Sequence, residues 1–146
     1  MAKLSFSVLI VSLLASVANA QQPTQGAVQG FLDDGICNIP TVSFNNDPSS
    51  INYGKLTVEC PPSSGAIRTI WLDKCISVAA NGQLQWDSRN PGFLKRCSGC
   101  SLVKSSFIEC LSCGKGFARI VLNTGIVFDK DTGNLQCPRV PKTRRS

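Results

Sequence analysis

Three stretches of this chain occur twice. LTVEC at 56–60 is echoed by SFIEC at 106–110, IRTIWLDKCI at 67–76 by FARIVLNTGI at 117–126, and NGQLQW at 81–86 by TGNLQC at 132–137. The first two echoes share an offset of fifty residues, the third an offset of fifty-one. Glu59 and Glu109 are the only glutamates, and each precedes a cysteine. Upstream, Phe31 to Cys37 corresponds to Phe93 to Cys97. Two copies are too few for a solenoid, which wants three or more. A unit of about fifty residues also buries too little surface to stand alone. The chain therefore reads as a pseudo-symmetric pair sharing one core.

Each copy reads as β structure. Leu56, Val58 and Cys60 alternate along one short strand, with Phe107, Ile108 and Cys110 in its echo. Ile70 and Leu72 alternate in the next strand, as do Ile120 and Leu122, which is the period of a half-buried strand. Asn81-Gly82 predicts a type I′ hairpin ahead of the strand QLQW at 83–86. Asp129 to Gly133 is a looser turn before NLQC. Asp73 and Asn123 suit a short 3-10 turn after each second strand. SRNPG at 88–92 joins the copies and reads as a hinge.

The ends of the chain read as something other than fold. Lys3, the apolar run Leu4 to Val17 and Ala18-Asn19-Ala20 predict a secretory signal peptide over residues 1–20. The short apolar run and the Ala-x-Ala site disfavour a membrane anchor, so no membrane insertion is expected. QQPTQGAVQG at 21–30 carries too little apolar surface to order itself. The net charge of +6 is concentrated at the far end, where Arg139, Lys142, Arg144 and Arg145 make 138–146 a basic disordered tail. Between Gln21 and Cys137 there are ten basic and nine acidic residues. That near-neutral body has no Lys/Arg stripe interleaved with aromatics, so nucleic acid is not expected as a partner.

Catalysis finds little support. The chain has no histidine, which removes the commonest general base and the Ser-His and Cys-His dyads. The carboxylate candidates Asp33-Asp34 and Asp129/Asp131 sit in turn-rich stretches, not facing each other across a cleft as glycoside hydrolysis needs. No enzyme activity and no cofactor are expected. Trp86 reads as core. Trp71, one residue off the Ile70/Leu72 face, reads equally as core or as a sugar-stacking surface.

The eight cysteines follow the secretory reading: an oxidising route makes them a disulfide framework. Cys97-x2-Cys100 and Cys110-x2-Cys113 also have the spacing of a four-thiolate zinc knuckle. The signal peptide, and the repeat partners Cys37 and Cys60 outside any CxxC, oppose zinc, and no metal is expected.

The order of features, in both copies, resembles the cyanovirin-N homology family of lectins over Phe31 to Cys137. It runs through Cys37 and Cys60, Ile70-Leu72-Asp73-Ile76 and Gly82-Leu84-Trp86, then Cys97 and Cys110, Ile120-Leu122-Asn123-Ile126 and Gly133-Leu135. The resemblance implies a mainly β, disulfide-stabilised fold of two pseudo-symmetric tandem repeats, about 31–87 and 93–137, that exchange strands. It implies non-catalytic binding of oligosaccharides, notably α-mannosides, or of glycoproteins, at two shallow sites at opposite ends. It also implies a monomer able to swap a whole repeat at the hinge into a homodimer.

Carried over by position, the family's Asp-Gly turn is Asn81-Gly82 in the first copy and Asp131-Thr132-Gly133 in the second. The hydroxyl residues near the second cysteines are Ser63 and Ser112. Asn81, Asp131, Asn134 and the amides beside the glycines supply partners for vicinal hydroxyls. Ile36, Pro61 and Leu111 stand where polar residues are expected. Those departures favour an alternative, a secreted cysteine-rich interaction protein that kept the fold and lost sugar binding. The family's pairing would join Cys37–Cys60 and Cys97–Cys110. The remaining cysteines are then expected as Cys100–Cys113 and Cys75–Cys137.

Overall fold

The computed structural model describes residues 29–137; the expected signal peptide over 1–20, the opening stretch through residue 28 and the expected basic tail 138–146 lie outside the described residues. In the first copy, β1 (Asn38–Phe44), β2 (Lys55–Glu59) and β3 (Ile67–Trp71) form an antiparallel sheet. A 3-10 turn (Leu72–Lys74) leads into the hairpin of β4 (Ile76–Val78) and β5 (Leu84–Trp86). The second copy repeats the order. A short 3-10 turn (Phe93–Lys95) leads to the sheet of β6 (Ser98–Val103), β7 (Phe107–Ser112) and β8 (Ala118–Val121). A further 3-10 turn (Leu122–Thr124) then leads to the hairpin of β9 (Val127–Asp129) and β10 (Asn134–Gln136). Among the described residues no helix is long and apolar enough to cross a membrane.

The copies exchange their hairpins. β10 packs against β3 and β5 against β8. Each three-stranded sheet thus has a hairpin from the other repeat packed against it. The ties are reciprocal. Leu94 N donates to Asp73 Oδ1 at 2.9 Å, and Leu32 N donates to Asn123 Oδ1 at 2.8 Å. Asp73 and Asn123 therefore anchor the segment that opens the opposite copy, as well as sitting in their own turns. Phe31 and Phe93, at the heads of those segments, are fully buried in one common core with Leu56, Leu72, Ile108 and Leu122. Trp86 packs on that core, against Gly125, and its indole N–H donates to Thr124 Oγ1 at 3.1 Å. Trp71 is half-buried, with the Lys55 ammonium 6.0 Å from its ring.

Three expectations change. The echo LTVEC/SFIEC does not mark equivalent positions. Leu56 faces Ile70 and Ile108 faces Ile120 in the two sheets. Leu72 N donates to Gly54 O, and Leu122 N donates to Ser106 O. Strand β7 thus matches β2 two residues further along than the echo suggests, so Cys110 occupies the place of Val58. Both are fully buried.

The disulfides change as a result. The bridges are Cys37–Cys60, Cys75–Cys137, Cys97–Cys113 and Cys100–Cys110. The expected Cys97–Cys110 and Cys100–Cys113 are replaced because Cys100 and Cys110 lie directly opposite in the β6–β7 ladder. Cys97 and Cys113 flank that ladder, one residue before β6 and one after β7. Cys37 and Cys60 flank β1 and β2 in the same way. The positional equivalent of Cys37–Cys60 is Cys97–Cys113, and Cys100–Cys110 is the addition.

The β4–β5 connection is also not a two-residue type I′ turn. That turn needs positive φ at both central residues, and only Gly82 has it, at 85°. Gly82 N donates to Ala79 O at 2.9 Å and Ala79 N to Gln83 O at 2.8 Å, which closes a longer loop with glycine in the left-handed position.

Candidate functional site

The exchange brings the β9–β10 turn of the second copy over the cysteine-flanking loops of the first. Between them lies an open groove of about 380 Å³, lined by Gly35, Ile36, Pro61, Arg68, Phe128, Lys130 and Gly133. Asp129 builds the turn. Its Oδ1 accepts from the amides of Asp131 (2.9 Å) and Thr132 (3.3 Å), and its Oδ2 accepts from Gln136 Nε2 at 2.7 Å. The Thr132 side chain, then the Thr132 and Asp131 amides and Gln136, hold its carboxyl below the ordinary carboxylate value. Gly133, at φ 68°, brings bare backbone against the Arg68 guanidinium; an added Cβ would lie 3.4 Å from Nη2. A side chain there would be strained as well as crowded.

Arg68 is held from behind. Its Nε donates to Cys60 O at 3.1 Å, so the outer edge of the guanidinium is left for the groove. Pro61, next to that Cys60 carbonyl in the loop after β2, also lines the groove. Glu59 braces that loop. Its Oε1 accepts from Gly65 N at 2.7 Å and its Oε2 from Asn38 Nδ2 at 2.6 Å. The Asn38 bond, then the Gly65 bond, lower its pKa.

The second end has the mirrored build. The β4–β5 turn lies on the loop after β7: an added Cβ on Gly82 would meet Lys115 Cβ at 2.7 Å, and Gln83 Nε2 donates to Phe117 O at 3.3 Å. Asn81 is exposed, with its Oδ1 accepting from Gln83 N at 3.0 Å. Phe117 is 52 % exposed beside this turn, and the Arg119 guanidinium lies between its ring and that of Phe107 at 5.9 and 5.0 Å.

Of the sequence-predicted residues, Gly133 lines the groove at the first end, and Asn81 and Gly82 form the turn at the second. Asp131 and Asn134 are exposed on the groove-side hairpin but do not line the groove, and Ser63 sits exposed in the loop after β2 at φ 60°. Ser112 is exposed at the end of β7. Sequence reasoning missed Arg68, Phe128 and Lys130. Arg68 had left a signal: it shares the core-facing parity of Ile70, where the second copy has the fully buried Ala118. A cation at an inward strand position marks a place where the core opens.

The remaining candidates have structural occupations. Asp33 accepts from Gly30 N and from Asn123 Nδ2, so Asp33-Asp34 is not a pair across a cleft. The sulfurs of Cys97, Cys110 and Cys113 lie within 4.8 Å of one another. All three are in disulfides and offer no thiolate, the form that ligates zinc.

No protein-family model matches the chain, and no curated protein matches it. Among solved structures it is similar to a crystal structure described as an MoCVNH3 variant (Mo0v) in complex with (N-GlcNAc)4. The TM-score is 0.54 at 15% identity, over 71% of this chain and 95% of that one. The fold is cyanovirin-N-like: mainly β, disulfide-bonded and built from a repeat.

Proposed function

We propose that the chain is a secreted, non-catalytic carbohydrate-binding protein that engages oligosaccharides, free or on glycoproteins, at both ends of the fold. The observation that carries this reading is the composite construction of each end: a glycine turn from one repeat is laid over the cysteine-flanking loop of the other. Fixed backbone beside glycine gives a sugar close access to rigid donors and acceptors. The likeness to a fold solved with (N-GlcNAc)4 favours a saccharide over other ligands. At the second end, Asn81, Gln83 and the exposed face of Phe117 suit a neutral sugar, chito-oligosaccharide or mannose-type. The polar side chains bind hydroxyls and the ring receives the C–H face.

The test is titration of the oxidised chain with both oligosaccharide types, beside Gly82→Val and Gly133→Val. Gly82→Val is expected to abolish binding of these neutral sugars at the second end, and Gly133→Val, at the first end, to leave it in place. Failure of the chain to bind any oligosaccharide overturns the reading.

A second reading has its own support. Leu111 is 74 % exposed, and the β7–β8 register puts it across from the exposed Phe117. An apolar surface of that kind fits a protein partner. A chain ended after Cys137 separates the two. Sugar binding survives the truncation under the first reading; partner binding that depends on the basic tail is lost under the second.

A further inference from the structure

We infer that the groove at the first end takes an acidic saccharide, with the anionic group, carboxylate or sulfate ester, bound between Arg68 and Lys130. The inference rests on the carbohydrate-binding reading and specifies its ligand at one end.

The side-chain chemistry of the groove is one-sided. Of its lining residues, only Arg68 and Lys130 carry polar side chains; Ile36, Pro61 and Phe128 are apolar, and Gly35 and Gly133 contribute backbone. Arginine and lysine donate hydrogen bonds and accept none. A neutral sugar, whose hydroxyls both donate and accept, finds no side-chain acceptor here. An anionic group, which only accepts, finds two cationic donors.

The cations are also not neutralised from within. Among the described residues the ion pairs are Arg89–Asp87 and Arg119–Glu109, and neither involves Arg68 or Lys130. The nearest structural carboxylate on the turn, Asp129, has both oxygens occupied in building it. Asp131 and Asp34 are exposed and do not line the groove. Arg68 is positioned by its Nε bond to Cys60 O, which leaves a planar edge able to meet a carboxylate through two parallel bonds. Phe128 and Pro61 then flank the anion with apolar surface suited to the ring face of the same sugar.

The second end is built differently: its Arg119 is paired with Glu109, which leaves Lys115 as the cation beside its turn. At the position of Arg68 it has Ala118, fully buried. The two ends therefore select different ligands, acidic at one and neutral at the other.

The test titrates the oxidised full chain with a galacturonic acid trimer, the same trimer after carboxyl reduction, and a sulfated trimer of matched linkage. The expected result is at least one anionic trimer bound about tenfold or more tighter than the reduced one, a preference that shrinks with added salt. The tighter of the two anionic trimers identifies the source of the charge. Arg68→Gln is expected to remove most of that preference. So is Lys130→Gln, at an exposed turn position where folding is not at stake. Equal binding of acidic and reduced trimers overturns the inference and leaves the lectin reading standing. A preference that persists when Arg68→Gln and Lys130→Gln are combined in one chain also overturns it. No binding of any sugar removes both readings together.

Discussion

At the scale of single residues, two side chains decide how the first end differs from the second. Arg68 replaces the core residue that Ala118 provides in the other copy, so the same strand position closes one end and opens the other. Glu59 braces the loop after β2 beside it through the Gly65 amide and the Asn38 side chain. Its carboxyl has a lowered pKa in the folded chain, so the unfolded chain binds that proton more readily. The stability it contributes is fully present above the ordinary glutamate value. It is lost as pH falls through the lowered one. Urea midpoints measured from about pH 6 down to about pH 2 are expected to decline on the acid side. Glu59→Gln should be less stable than the native chain at neutral pH and should show a shallower decline. An unchanged acid limb in Glu59→Gln would contradict this role. Asp129, lowered by its turn bonds, adds to the same decline and remains in the variant.

At the scale of elements, the disulfides follow strand register. Peptide mapping without reduction should recover Cys97–Cys113 and Cys100–Cys110, and a Cys97–Cys110 peptide would contradict the β6–β7 register. Their contributions should differ by the loop each closes. Removing Cys100–Cys110, separated by 10 residues, is expected to cost about 3 kcal/mol; removing Cys75–Cys137, separated by 62, about 4 kcal/mol. Paired alanine variants in urea unfolding check the order. The elements were largely legible in the sequence, because alternation at Leu56/Val58 and Ile120/Leu122 reports which face is buried. The register was not. The Glu-Cys dipeptide that made the echo conspicuous sits at inequivalent places, since Glu109 pairs across the sheet with Arg119 while Glu59 braces a loop. β1 and β6 went unread as strands because their sequences, NIPTVSF and SGCSLV, carry proline or glycine that ordinarily counts against a strand. The turns of both ends were legible through Asn81-Gly82 and Gly133. The cations of the groove were not, because Lys130 comes to Arg68 only through the exchange of hairpins.

At the scale of the whole molecule, that exchange makes neither repeat self-sufficient. β9–β10 packs on the sheet of the first copy and β4–β5 on that of the second. Thermal unfolding is expected as a single cooperative transition, with a calorimetric enthalpy matching the van't Hoff value; two resolved transitions would show the halves to be independent. The Cys75–Cys137 bridge adds a consequence of its own. It is the one bridge that joins the first repeat to the second; the other three each lie within one repeat. Were two chains to trade second repeats across the segment 88–92, each chain's Cys75 would meet the other chain's Cys137. Air oxidation would then weld the pair. Assembly state would cease to be an equilibrium that dilution can reverse and become a covalent memory of the concentration at which the last thiols closed.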